Sequence, residues 1–234
     1  MRVLDLFSGL NGWSDPFKER GHEVFTIDND SRFGADLVYD VAKVKRVLLP
    51  WKPDIILASP PCEKFSVMVI GRNWNIDHTP KNAEAAAALE LVRATKRLIE
   101  ELQPTFFVIE NPRAKLRKLG VLDEYERRTV TYCQLGERFM KPTDLWGGFP
   151  PSLVLPPPCK NGAPCHVSAA RGSVTGIQGR ARTKFRGGLI EDMIHYYSTD
   201  ERRKDLSALR AQIPRQLALL VCEAAERDLD VRHS

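Results

Sequence analysis

Asp54-Ile-Ile-Leu-Ala58-Ser-Pro-Pro-Cys62 is the stretch on which the fold turns. A short β-branched run that ends in Pro-Pro reads as a buried strand that stops abruptly and hands its next residues to a loop. A cysteine at that point sits at the carboxyl edge of a sheet, where open α/β folds keep their ligands. A thiol so placed is either a covalent nucleophile or a half-buried structural cysteine on a turn, and the tetrapeptide alone leaves both open.

The flanking sequence repeats the pattern. Arg2–Phe7 predicts a first strand, followed by the turn Ser8-Gly-Leu-Asn-Gly12 and a short helix to Arg20. Gly21–Ile27 predicts a second strand ending in Asp28-Asn-Asp30, Asp36–Asp40 a third, and Asp54–Ala58 the fourth. Thr79 as cap and Pro80 at the first helical position open a long helix, carried by Asn82–Leu102 and stopped by Pro104. Thr105–Ile109 predicts a fifth strand that leads into Glu110-Asn111-Pro112. Strands alternating with helices predict an α/β fold with a doubly wound, mostly parallel, Rossmann-like sheet. A core over 1–145 is expected, then a small Pro/Gly/Arg-rich irregular region over 146–190. In the expected C-terminal segment 191–234, Asp200–Leu229 regains helical spacing and packs back on the core.

The 234 residues suit one domain with a small appendage, and 43% hydrophobic with 28% charged residues is ordinary for a globular chain. No run approaches a membrane span, and no signal-peptide pattern is present. Five scattered cysteines, an odd number, argue for a reducing compartment, so a cytosolic protein is expected. Net charge is +5, but residues 113–186 hold fourteen basic against five acidic side chains while residues 1–60 are near balance. That asymmetry suggests a polyanion met by one face.

The predicted loops Phe7–Gly12, Asp28–Asp30, Asp40, Ser59–Cys62 and Glu110–Pro112 all fall at carboxyl ends of strands and build one crevice. The glycine turn lets a ligand approach the backbone. An acid ending the second strand can hold ribose hydroxyls: Asp28 suits this, with Asp30 as competitor, and Asp40 could accept from an adenine amine.

Through Asp5-Leu-Phe-Ser-Gly9, Ser59-Pro-Pro-Cys-Glu-Lys-Phe-Ser66 and Phe107-Val-Ile-Glu-Asn111 the chain resembles the cytosine-C5 DNA methyltransferase family, especially its compact phage-carried members. The resemblance covers residues 1–150. It implies S-adenosylmethionine as cofactor, with S-adenosylhomocysteine as product. The binding residues it implies are Phe7, Ser8, Gly9, Leu10, Asn11, Gly12, Asp28, Asn29, Asp40, Val41, Ser59 and Pro61. It also implies Cys62 as nucleophile toward carbon 6 of cytosine, Glu110 as the acid at ring nitrogen N3, and Asn111 as the residue holding the adjacent loop or Cys62. A base must finally remove the carbon-5 proton; water often serves, and the sequence names no candidate. The resemblance further implies double-stranded DNA as target with the base flipped out, Phe65–Thr79 as the closing loop, Arg72 in it as a residue for phosphate or the vacated stack, and a monomer in the cytoplasm of a prokaryotic or phage-infected host cell.

Four departures follow. Asn11-Gly12 replaces the family's glycine pair, which asparagine's tolerance of positive φ allows. Glu-Asn-Pro replaces Glu-Asn-Val. Gly136–Trp146 lacks the family's Gln-x-Arg-x-Arg motif, leaving Arg138 and, as the weaker candidate, Lys141 as cations for the cytosine carbonyl. The family's late asparagine motif, which closes the cofactor pocket, is not clear around Gln212-Ile-Pro214. Arg171, Arg180, Arg182, Lys184 and Arg186 form a short basic region able to grip phosphates and read guanine edges, so a site of a few base pairs is expected. Cys159, Cys165 and His166, with Cys133, are compatible with part of a metal site, but no tight Cys-x-x-Cys pair is present and no metal is assigned. Two alternatives stay open: an RNA cytosine-C5 methyltransferase, and a DNA-binding protein of the same fold that has lost turnover.

Overall fold

The computed structural model describes residues 1–67, 69–137, 139–166 and 211–233. Arg138, Arg171, Arg180, Arg182, Lys184 and Arg186 lie outside the described residues, as does most of the expected 146–190 region. Among the described residues seven strands form one sheet: β1 (Arg2–Leu6), β2 (Glu23–Asp28), β3 (Leu37–Val38), β4 (Ile55–Ala58), β5 (Phe106–Pro112), β6 (Glu126–Thr131) and β7 (Pro142–Gly148), in the order β3-β2-β1-β4-β5-β7-β6. Pairing is parallel from β3 through β5, while β7 runs antiparallel to both β5 and β6. The sheet is thus mixed and mostly parallel, as the alternating pattern predicts.

β4 explains why its sequence is apolar without alternation. Ile55 and Leu57 enter a core with Trp13, Phe17 and the last helix, while Ile56 and Ala58 enter a second core on the opposite face. A strand buried on both faces needs no polar positions. One face is covered by α1 (Ser14–Glu19) and by α4 (Arg215–His233), which buries Leu217, Val221, Cys222 and Ala225. Leu217 and Val221 each contribute about 1.5–3 kcal/mol on full burial. α1 and α4 are also tied by ion pairs, Arg20 to Glu226 at 2.6 Å and Arg215 to Glu19. The other face is covered by α3 (Ala83–Leu102), which follows the one-turn α2 (Ile70–Asn73) and whose stripe Ala85, Ala88, Leu89, Val92, Leu98, Ile99 and Leu102 recurs at helical spacing.

Three element boundaries differ from the sequence reading. α3 begins at Ala83, capped by Asn82, whose side chain accepts from the Ala85 N–H at 2.8 Å. Pro80 instead bridges to Trp74, and Thr79 turns its hydroxyl to Asp77. β5 runs on through Glu110 and Asn111, because both pair with β7. β7 extends to Gly148. A Cβ on Gly147 would lie 2.3 Å from the Phe107 carbonyl oxygen, so only glycine lets β7 lie this close to β5. The last helix starts at Arg215, since Pro214 cannot donate within a helix but its carbonyl accepts from Leu217 and Ala218.

Candidate active site

The turn after β1 is held in a conformation that few residues accept. Phe7, Gly9 and Asn11 have φ of 61°, 49° and 59°. Asn11 therefore occupies the left-handed region that the sequence departure required of it. Asp28 at the end of β2 fixes the turn: one carboxylate oxygen accepts from the Gly9 N–H at 2.9 Å, the other from the Asp30 N–H at 2.9 Å. Asp30 is engaged elsewhere, its carboxylate gripped by Arg32. Asp40 accepts from the Ala42 N–H at 3.0 Å and caps the short turn that buries Val41. Asn29 is exposed, while Leu10 is buried.

Three polar atoms around this turn are buried without a hydrogen-bond partner: Asp5 Oδ1, Ser8 Oγ and Asn11 Oδ1. A polar ligand rich in amino and hydroxyl groups fits such a cradle, and S-adenosylmethionine is one. Gly12 lies against the other side of the turn. A Cβ there would be 2.9 Å from the Ile213 backbone nitrogen, so the segment before α4 closes directly over the loop. Gln212-Ile-Pro214, which carries no recognisable motif, closes the turn by backbone approach.

The pocket beside β4 is built from charges. Glu110 is 3% exposed, and burial pushes its carboxyl upward against the opposing pull of Lys141 and of hydrogen bonds from Tyr132 and Ser59. The Tyr132 hydroxyl donates to Glu110 Oε1 at 3.0 Å. Lys141 Nζ stands 3.9 Å from that same oxygen, 3.4 Å from the Tyr132 hydroxyl and 4.4 Å from the centre of its ring. Lys141 takes φ of 27°, a strained value for a residue with a side chain, and enters β7 directly. Burial also raises the Cys62 thiol, with Lys141 lowering it and Glu110 raising it, so the three groups share one electrostatic environment.

Asn111, fully buried, donates from Nδ2 to the Pro60 carbonyl at 2.8 Å, which fixes the Pro-Pro loop. Of the two expectations for Asn111, it is the loop that it holds. Ser59, grouped with the cofactor in the sequence reading, has its hydroxyl between the Trp13 indole N–H at 3.0 Å and Glu110. Pro61 is exposed at the pocket edge. Behind Glu110, Arg117 pairs with the buried Asp144 at 2.8 Å, and Thr129 donates to the same carboxylate at 2.7 Å. Residues 65–79 are anchored by Phe65 stacked on Trp74, with ring centres 5.6 Å apart, and by the Trp74 indole donating to the Lys64 carbonyl. Arg72 is exposed on this segment, as are Val67 and Ile76.

Sequence reasoning missed Tyr132 and Trp13. Tyr132 lies on a turn after β6, and nothing local marks it as a partner of Glu110. Trp13, one residue past the glycine turn, reads only as core. Cys133, next to Tyr132, comes together with Cys159, Cys165 and His166 away from this pocket.

The chain matches the family model of C-5 cytosine-specific DNA methylase over residues 1–119, which includes Cys62 and Glu110 but neither Tyr132 nor Lys141. It is 33% identical over 153 residues to the "Probable DNA (cytosine-5)-methyltransferase" of Frog virus 3 (isolate Goorha), covering 62% of this chain and 70% of the relative. Among solved structures, the Entamoeba histolytica methyltransferase EhMeth overlaps 63% of this chain and 52% of its own, with 11% identity and a TM-score of 0.45. A Spodoptera frugiperda DNMT2 mutant overlaps 62% of this chain and 49% of its own, with 20% identity and a TM-score of 0.42. The chain spans about half the length of these solved structures. On the family match over half its length and the viral relative, the chain belongs to the C-5 cytosine-specific DNA methylase family.

Proposed function

We propose that this chain methylates carbon 5 of cytosine in double-stranded DNA, through a covalent bond between Cys62 and a base flipped out of the duplex. The observation that carries the reading is the grouping of the half-buried Cys62 and Lys141 with the buried Glu110. Bound S-adenosylmethionine, held by the Phe7–Gly12 turn, Asp28 and Asp40, supplies an electrophilic methyl group. Carbon 5 of cytosine is a poor nucleophile while the ring is aromatic. Addition of the Cys62 thiolate to carbon 6 makes carbon 5 enamine-like. The charge pushed onto the ring is taken up at N3 by the proton of Glu110, which burial keeps available. Tyr132, itself pushed well above its ordinary range by burial and by Glu110, keeps its proton and holds the Glu110 carboxyl in place. Lys141 supports the thiolate and, with Arg138 as the other candidate cation of this stretch, meets the cytosine carbonyl in place of the Gln-x-Arg-x-Arg motif. Carbon 5 then takes the methyl group and S-adenosylhomocysteine is left behind; loss of the carbon-5 proton to water expels the Cys62 thiolate, and N3 returns its proton to Glu110, which restores aromaticity.

Phe65–Thr79 forms the rim that closes on the flipped base, with Arg72 toward phosphate. Arg171, Arg180, Arg182, Lys184 and Arg186 supply further contacts to the duplex. The test is transfer of labelled methyl from S-adenosylmethionine to mixed-sequence DNA and to transfer RNA, read by nucleoside mass spectrometry. 5-Methylcytosine in DNA is expected. Labelled RNA alone, or no product over many DNA sequences, sinks the reading. DNA carrying 5-fluorocytosine, which has no proton to release at carbon 5, is expected to trap a covalent adduct that Cys62→Ser cannot form.

A further inference from the structure

A second cluster of reactive side chains lies outside the pocket. Cys133 sits on the turn Tyr132–Leu135 at the end of β6, while Cys159, Cys165 and His166 come from the loop beyond β7. The Cys159 N–H donates to Thr131 Oγ1 at 2.8 Å, bringing that loop back to β6. Cys159 Sγ and Cys165 Sγ are 3.2 Å apart. His166 Nδ1 is 3.4 Å from Cys165 Sγ and 3.6 Å from Cys159 Sγ. The Cys133 thiol contacts both of the other thiols, and all four donor atoms lie within 4.8 Å of one another.

Three thiols and an imidazole from two separate stretches meet here, and a disulfide would use only two of them. A tetrahedral zinc ion, with Zn–S of about 2.3 Å and Zn–N of about 2.0–2.1 Å, needs donor atoms roughly 3.4–3.8 Å apart. The observed separations of 3.2, 3.4 and 3.6 Å approach that spacing. His166 is buried, and its other ring nitrogen, Nε2, has no hydrogen-bond partner, so Nδ1 is the atom turned to the sulfurs. Gln134 Nε2 donates to Cys165 Sγ at 3.3 Å, as outer donors to metal-bound thiolates do.

We propose that Cys133, Cys159, Cys165 and His166 bind a structural Zn²⁺ ion through three thiolates and Nδ1. The three thiol protons pass to solvent as the metal enters, and four protein ligands leave no open position for catalysis. The ion fastens the 159–166 loop to the turn that carries Tyr132, the hydrogen-bond donor to Glu110. By sequence, that loop leads straight into the basic stretch around Arg171–Arg186. The metal thus anchors the start of the DNA-facing region against the wall of the active site. No close cysteine pair marks the site in the sequence; the fold supplies the distant ligand, Cys133, from the turn after β6.

The test is elemental analysis of the full chain purified without chelator from zinc-supplemented cells. One zinc per chain is expected in the wild type and in Cys62→Ser, with loss in Cys133→Ser and Cys159→Ser. Cobalt substitution of the wild type is expected to give the visible bands of a tetrahedral thiolate site. Should the serine variants fail to fold, chelator titration of the wild type, followed by tryptophan fluorescence and zinc release, reads the same site. A metal-free wild-type chain in which Cys133, Cys159 and Cys165 are alkylated freely overturns the proposal. A Cys159–Cys165 disulfide in place of metal does so too. Neither result depends on methyl transfer, so the site and the enzymatic reading can fail separately.

Discussion

The parallel and antiparallel parts of the sheet build their shares of the site in different ways. On the β1–β2–β3 side the backbone does it: positive φ at Phe7, Gly9 and Asn11, and amide hydrogens of Gly9 and Asp30 gathered by Asp28. On the β5–β7–β6 side, side chains do it: Glu110, Tyr132 and Lys141 in front, Asp144, Arg117 and Thr129 behind. The difference matches the two tasks. Binding a cofactor asks for a shaped turn with a few acceptors, whereas attacking an aromatic ring asks for charges whose strength burial has altered.

The comparison breaks most visibly at Glu110. Glu110→Gln keeps the shape of the side chain and removes its proton, so kcat is expected to fall about 10²–10⁴-fold while cofactor affinity stays unchanged. Burial raises the Glu110 carboxyl, so the acid form persists to higher pH than an ordinary glutamate allows. Wild-type kcat should decline as pH rises through that value, and the variant should lack this limb. Equal losses in kcat and in cofactor affinity would show that the two parts do not work separately.

What could be read from the sequence follows the same division. β1, β4 and the loops after them are written in contiguous residues, because a parallel strand and its turn are neighbours along the chain. Cys62, Asp28 and Glu110 could be named for that reason. β6 and β7 were not anticipated. Arg127, Arg128 and Thr129 in β6 look like surface, and Pro142 with Gly147-Gly148 in β7 look like loop. They form strands because Glu110–Asn111 and Thr129–Val130 pair with the same stretch of β7 from either side. Tyr132 and Lys141 become partners of Glu110 only through that pairing, which no local pattern records. The same holds for Cys133 and its distant companions.

Asp5 is the exception on the backbone-built side, and it sharpens the comparison. It is fully buried in β1, and loss of hydration raises its carboxyl to about 7, with the Ser14 hydroxyl and Lys18 pulling it down and Asp28 and Asp15 pushing it up. A folded value above the unfolded 3.8 means that the folded chain holds the proton more tightly. Stability is therefore highest at or below pH 4 as far as this group is concerned, and is lost as pH rises toward 7. The loss is on the order of 4 kcal/mol at about 1.4 kcal/mol per unit. Asp5→Asn should flatten that slope in urea unfolding between pH 4 and 8. An unchanged slope would mean that other groups set the pH dependence.

Lys141 tests whether the charged pocket works as a unit. Its ammonium lowers both the Cys62 thiol and the Glu110 carboxyl, so removing it raises both. For the acid that change is harmless, since a proton is wanted there. For the nucleophile it is not, because each unit upward leaves about tenfold less thiolate at a fixed pH below the thiol's own value. Lys141→Ala should therefore slow iodoacetamide alkylation of Cys62, followed by peptide mass spectrometry without DNA, and should cut kcat about 10–100-fold. Lys141→Arg should restore the alkylation rate, because the charge returns even though the shape differs. If alkylation is untouched in Lys141→Ala while turnover collapses, the cation acts on the substrate alone. The lysine would then replace the family's arginine without tuning the cysteine, and the side-chain part of the site would be two separate devices instead of one network.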